Sequence, residues 1–239
     1  MLDWRRAADY GFAESLTRAE WAWQFLRRNP DYRRDYAWFS ETWQALEADY
    51  GAPPQRDFFR WKQDPRAWRA ESEIAGCAEA CPGEGEQVLI ECWMGAKWGL
   101  RKFPLDPSSE RPVPGEALDW REQAIEVPEV GCDDLQHDQG IMALAFDLAL
   151  PLAPQLEAAR IALIGRQRAL DKRGSLPPRT LRAARAIWTR YLRLLDAQQA
   201  GAAPDEMGRA LGLDAIDTEL AAAWAMARTG YRRILLLDD

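Results

Sequence analysis

RYLRLLDAQQAGAAPDEMGRALGLDAIDTELAAAWAMARTGYRRILLL, residues 190–237, is the stretch on which the reading of this chain turns. A helical run stops at Gly201, and Pro204-Asp205-Glu206 opens a short helix that Gly212 ends. Proline suits the first turn of a helix, acids favour the N-terminal end of its dipole, and glycine favours the position just past its end. A longer helix then spans Asp214 to Thr229, and YRRILLL closes the chain's apolar pattern as a short strand or helical tail. So short a middle helix is marginal in water unless it packs. The expectation is therefore a tri-helical unit, the kind of scaffold that presents a helix to DNA.

Upstream, the helix that leads into this unit begins near Arg179. Leu181, Ala184, Ile187, Trp188, Tyr191, Leu192 and Leu195 fall on one side of it. Arg179, Arg182, Arg185, Arg190 and Arg193 fall largely on another, because residues three and four apart share a helical face. Before it, PQLEAARIALIGRQRALDKRG from residue 154 reads as a further helix, ended by Gly174 and Pro177-Pro178.

The N-terminal part is also helical. Leu16, Trp21, Trp23, Phe25 and Leu26 give way to Asn29-Pro30, which marks a break because proline disfavours helical geometry in the residue before it. A second helix follows over 31–50, with Tyr32, Tyr36, Phe39, Trp43 and Leu46 at helical spacing. Residues 55–75 suggest a short amphipathic helix and a turn. In the middle the period changes: 87–106 reads as a hairpin turning at Gly95-Ala96, and 122–130 and 137–152 read as further strands. The links are too short for helical crossovers, so the sheet is expected to be small and antiparallel.

Charge is unevenly spread. Residues 1–150 carry 17 basic and 28 acidic side chains, whereas residues 151–239 carry 14 and 10. A net charge of −7 thus hides a basic C-terminal part, and phosphate binding needs local positive charge rather than a basic whole. A solvated helix face is the plainer account of the same arginines. Of 12 tryptophans, eight precede residue 95, which points to aromatic packing in the N-terminal half.

Catalytic and metal signatures are weak. Cys77-x-x-x-Cys81 with Cys92 and Cys132 matches no common zinc module, and His137 is the single histidine. His137 sits among acids without a placed nucleophile, and phosphate-cradling glycine motifs are absent. The opening MLDWRRAADY lacks a signal-peptide pattern and no apolar run spans a bilayer. A cytoplasmic protein with no enzymatic activity, metal, cofactor or membrane association is expected.

If the tri-helical unit binds double-stranded DNA, the phosphate contacts are expected from Arg179, Arg182, Arg185, Arg190, Arg193, Arg209, Arg228, Arg232 and Arg233. The last long helix begins Asp214-Ala215-Ile216-Asp217-Thr218-Glu219, whose carboxylates are unsuited to reading bases. WAWQFLRRNPDYRRDY, residues 21–36, pairs arginines with aromatics as a nucleic-acid surface does. Its plainer reading is core tryptophans, with the arginines paired to Asp31, Asp35 and Glu41.

DWRRAADY and WAWQFLRRNPDYR resemble the small transcriptional regulator-like N-terminal domain of proteobacterial proteins. FDLALPLAPQLEAARIALIGRQ and YLRLLDAQQAGAAPDEMGRALG with AWAMARTGYRRIL resemble the DNA-binding-like domain of the type VI secretion transcription-factor family. Together these stretches cover roughly residues 2–36 and 146–235. The resemblance implies a cytoplasmic DNA-binding regulator that forms a homo-oligomer. The fold expected is α+β: a helical Trp-rich regulator-like domain over 1–75, a strand-rich region over 76–152, and a helical DNA-binding-like domain over 153–239. The competing expectation is a non-catalytic protein-interaction module of the same architecture that leaves DNA alone, favoured by the acidic N-terminal half.

Overall fold

The computed structural model describes residues 2–71, 74, 87–110, 118–123, 141–174 and 176–237. It is an α+β protein, mostly helical, with one small antiparallel sheet among the described residues. The chain divides into two units, Met1–Gln123 with Thr180–Asp239, and Ala124–Arg179.

In the first unit a 3-10 segment, Ala7–Ser15, leads to α1, Arg18–Leu26. Thr17 and Glu20 close the start of α1 reciprocally: the Glu20 carboxylate accepts from the Thr17 N–H at 2.8 Å, and the Thr17 hydroxyl accepts from the Glu20 N–H at 3.3 Å. This pairing satisfies donors that no helical carbonyl reaches. Asn29 then caps α2, Pro30–Tyr50, by accepting from the Asp31 N–H at 2.8 Å, with Pro30 in the first turn. The break expected at Asn29-Pro30 is thus the junction of two helices.

After the one-turn α3, Phe58–Trp61, strand β1, Trp68–Ala70, pairs antiparallel with β2, Gln87–Leu89, in the register Trp68 to Leu89 and Ala70 to Gln87. The hairpin expected over 87–106 is not formed. Only its first residues are strand, and the next nine make α4, Ile90–Trp98. Gly95, read as the hairpin's turn, sits inside α4, where the segment that follows the helix passes directly over it. A Cβ at Gly95 would lie 2.2 Å from the Lys102 carbonyl oxygen. The glycine therefore marks a close approach of backbone to helix. Gly99 ends α4 at φ 81°, a left-handed conformation suited to glycine.

The unit resumes with α6, Leu181–Gln199, after α5 of the second unit, Leu152–Lys172. It continues through α7, Pro204–Leu211, and α8, Ile216–Ala225. A π-helical turn, Met226–Gly230, and α9, Tyr231–Ile234, complete it. The core joins the two ends of the chain. Trp21 and Phe25 of α1 meet Trp188 of α6 edge-on, with ring centroids 5.4 and 6.1 Å away. Trp23 packs against Tyr32, and Tyr32 against Trp98, at 5.8 and 5.4 Å. Trp21 and Trp23 are wholly buried, as core residues. Each such ring removes a large apolar area from water and gains a further edge-to-face term.

In the second unit, residues 141–147 form neither the expected strand nor a helix. Strand geometry needs a neighbour for its backbone groups, and the sheet among the described residues is β1 with β2. Gln155 ties this segment to α5: its Oε1 accepts from the Asp147 N–H at 2.8 Å, and its Nε2 donates to the Asp147 carbonyl at 2.9 Å. The rest of the segment expected to be strand, 124–130 and 137–140, lies outside the described residues. Among those described, no helix is long and apolar enough to cross a membrane.

Two measurements check this packing. Gly95→Ala should destabilise by at least ~2 kcal/mol, since the added methyl meets backbone, which heating would register as a Tm lower by roughly 4–8 °C. Glu91 of α4 is buried with Oε2 unbonded, and burial pushes its carboxyl above the usual range against the pull of Lys102 and Arg56. A raised carboxyl leaves the fold unaffected below its unfolded-state value, weakens it as pH rises through that value, and does so fully above its folded-state value. Glu91→Gln should therefore raise Tm at about pH 8 and leave it nearly unchanged at about pH 3, where the acid is protonated folded or unfolded.

Candidate nucleic-acid interface

The tri-helical unit is built as its turns suggest. Four residues, 200–203, join α6 to α7, and four, 212–215, join α7 to α8. Thr180 caps α6 by accepting from the Ala183 N–H at 3.3 Å. Gly212 ends α7 at φ 66°, and the Leu213 N–H returns to the Gly208 carbonyl at 2.9 Å. Leu192 and Leu195 of α6, Met207 of α7 and Ala223 of α8 are buried between the three. Alanine at 223 lets α8 lie close against α6.

The nine arginines expected at the interface fall into two groups. Four are engaged by the protein itself. Arg190 holds Glu219 with both Nε and Nη2 at 3.1 Å, tying α6 to α8. Arg193 donates to the carbonyls of Trp4 at 2.8 Å and Arg5 at 2.9 Å, fastening the start of the chain to α6. Arg232 donates to the Lys97 carbonyl at 2.6 Å, linking α9 to α4. Arg179, in the second unit, pairs with Asp171.

The others are freer. Arg182, Arg209, Arg228 and Arg233 are exposed. Arg209 donates to the Asp205 carbonyl at 3.2 Å, and Arg228 lies over the Trp224 ring at 5.8 Å. Arg185 is half-buried, its Nε without a hydrogen-bond partner. Arg182 and Arg185 share a face of α6 by spacing.

The residues exposed along α8 and its flanks include Asp214, Asp217, Thr218, Ala221, Ala225 and Arg228. Its first turn is acidic, as expected, and Asp217 and Glu219 there complement the helix dipole. Glu219 also accepts Arg190, so one of the three carboxylates near the α8 start is neutralised internally.

The second arginine set, in residues 27–34, is used in a way that local sequence does not reveal. In place of the expected pairing with a neighbour, Arg28 Nε and Nη2 hold the Asp196 carboxylate of α6 at 2.7 and 2.9 Å. The Tyr10 hydroxyl donates to the same carboxylate at 2.7 Å. Burial and the adjacent Asp196 push the Tyr10 phenol far above its ordinary range. Asp35 goes to Lys97 at 2.7 Å, and of the expected local pairs Arg34 with Asp31 is formed, at 2.9 Å. Asp196 carries no motif that announces it, since its partners lie 168 and 186 residues away.

Cys77, Cys81, Cys132 and His137 lie outside the described residues. Among those described, no cluster of His, Cys, Asp and Glu is arranged to hold a metal ion.

The first unit is thus a helical body in which the N-terminal segment, α1 and α2 are fused by buried aromatics and one buried ion pair to a tri-helical unit. Residues 3–62 of that body match a family, the proteobacterial transcriptional regulator-like domain. The match takes in the 3-10 segment, α1, α2 and α3; it does not extend to the C-terminal helices, and no match supports the type VI secretion resemblance expected of them. No curated protein and no solved structure matches the chain.

Asp196→Ala would leave Arg28, whose side chain is 4% exposed, as an uncompensated buried charge. A loss of ~3 kcal/mol in urea unfolding is expected, with Asp196→Asn losing less because it retains an acceptor.

Proposed function

We propose that the chain is a non-catalytic, cytoplasmic transcription regulator that binds double-stranded DNA through the α6–α8 unit as a homo-oligomer. The observation that carries this reading is the regulator-like match over residues 3–62. That segment shares one core with a tri-helical unit bearing exposed arginines. Phosphate contacts come from Arg182, Arg209, Arg228 and Arg233, with Arg185 beside them. Arg190, Arg193 and Arg232 serve chiefly to hold the helices that carry these side chains. Arg179 adds charge from the second unit.

Oligomerisation is needed because so few free cations per copy give weak phosphate binding, and joining copies raises the effective concentration of each further site. The tryptophans are packed inside or half-buried and so offer little interface. Exposed apolar side chains are instead concentrated in the second unit. They include Ile141, Phe146, Leu148, Leu152, Leu156 and Ile161, and a patch of this kind marks an association surface.

A second reading, a protein-interaction module that leaves DNA alone, is favoured by one observation. The helix in the base-reading position exposes Asp214 and Asp217, and carboxylates there repel phosphates.

Gel retardation on mixed duplex DNA, with native mass measured by light scattering, separates the two. The regulator is expected to be an oligomer whose affinity falls steeply with salt. Replacing Arg182, Arg209, Arg228 and Arg233 together by Gln should flatten that dependence by about 0.9 in log–log slope for each phosphate left without its cation. The circular dichroism should not change, because all four side chains are exposed. Absence of retardation at low salt would select the interaction module.

A further inference from the structure

Within the first unit, a cavity of about 180 Å³ opens where α1 and α2 meet the end of α6. Arg27, Arg28 and Arg33 converge on it from the segment matched by the regulator-like family, and Asp196 and Ala200 reach it from α6. Leu2 and Trp4 supply an apolar wall.

The charges in this cavity do not cancel. Arg28 and Asp196 neutralise each other through two hydrogen bonds, and Tyr10 occupies the carboxylate further. Arg27 is held only by neutral acceptors: the Pro107 and Ser108 carbonyls at 3.0 and 3.1 Å, and the Gln24 Oε1 at 3.5 Å. Arg33 donates from Nε to the Arg27 carbonyl at 2.7 Å, which leaves its two terminal nitrogens without a protein acceptor among the described residues. Glu110 stands at the rim, exposed, and pairs with neither arginine within ion-pair distance. Burial and the neighbouring Arg28 lower the Arg27 guanidinium to about 10 and also lower Arg33. Glu110 and Asp196 favour these charges only from beyond ion-pair distance, so two half-buried cations lack a carboxylate in direct contact, an arrangement that a bound anion relieves.

We propose that this cavity binds a small organic carboxylate with an apolar body. The carboxylate is taken in a fork by the terminal nitrogens of Arg33, with the Arg27 guanidinium adjacent. The body lies against Trp4 and Leu2. Size supports the class, because a cavity of ~150 Å³ accommodates a benzene ring. Guanidinium is suited to the head group, because its planar donors match two carboxylate oxygens at once. Phosphate alone would satisfy the cations and leave the apolar wall wet.

The site would join the regulator-like segment to α6, so an occupied cavity would brace the helix that leads the tri-helical unit. That consequence for DNA rests on the function proposed above. Ligand binding itself is measured without DNA, and the two ideas therefore fail separately.

The test is calorimetric titration of the full chain with sodium benzoate, benzamide and inorganic phosphate at constant ionic strength. Benzoate should bind at least about tenfold more tightly than either of the others. Arg33→Met should weaken benzoate by about tenfold or more. Ala200→Trp, at an exposed position on the cavity's edge, should abolish binding with Tm unchanged. It keeps the test decisive should Arg33→Met fail to fold. Equal affinity for benzoate and benzamide would overturn the role of the arginines. Phosphate binding as tightly as benzoate would overturn the organic acid. No heat with benzoate at millimolar concentration, or benzoate binding unchanged in a folded Ala200→Trp, would overturn the site.

Discussion

The carboxylate of Asp196 lies at the join on which the arrangement of this protein depends. It stands near the end of α6 and receives Arg28 from the end of α1 and Tyr10 from the 3-10 segment. Removing two opposite charges from water is expensive, and only good geometry with further hydrogen bonds offsets that penalty. Here the offsets on the Arg28 side extend beyond the pair: Nη1 also donates to the Gln24 carbonyl and to its Oε1, each at 2.8 Å. An apolar contact tolerates sliding, whereas a bidentate pair fixes register. The aromatic cluster of Trp21, Phe25 and Trp188 supplies the bulk of the burial at this join, and the ion pair determines which turn of α6 faces α1.

Once that register is set, the arginines beyond it divide by what their neighbours offer. Arg193, one turn before Asp196, is directed to the carbonyls of Trp4 and Arg5, so the chain's start is drawn over the same helix. Arg190 finds Glu219 across the gap to α8. Of the nine arginines expected at the interface, those left facing water are Arg182 near the α6 N-terminus, Arg209 on α7, Arg228 in the turn after α8 and Arg233 in α9. A count of basic residues along the sequence therefore overstates the charge offered to a polyanion. It treats a helix-to-helix tie and a free cation alike.

What the sequence discloses follows the range of the interactions involved. Capping and termination are local, so Asn29-Pro30, Gly201, Pro204 and Gly212 mark the helix ends correctly, and tryptophans at helical spacing mark the core. The stretch over 87–106 misleads because its aromatic and β-branched residues are equally at home in a buried helix. The decisive fact, the passage of Lys102 over Gly95, belongs to tertiary structure. The roles of Arg28 and Asp196 are hidden for the same reason, while the acidic start of α8 is plain from its residues alone.

That acidic start bears on how the proposed regulator would engage DNA. Asp214 and Asp217 are exposed at the helix end that an ordinary recognition helix directs at bases. Placed in a groove, they would lose hydration and gain only the few cytosine amino donors that a carboxylate can accept. The exposed cations lie elsewhere, at Arg182 near the α6 N-terminus, Arg209 on α7, and Arg228 and Arg233 beyond α8. A surface with cations around an acidic centre suits phosphates on either side of a groove better than bases within it. Discrimination among sequences would then come from duplex shape and from the spacing of copies in an oligomer, since phosphate contacts orient a protein without reading the code.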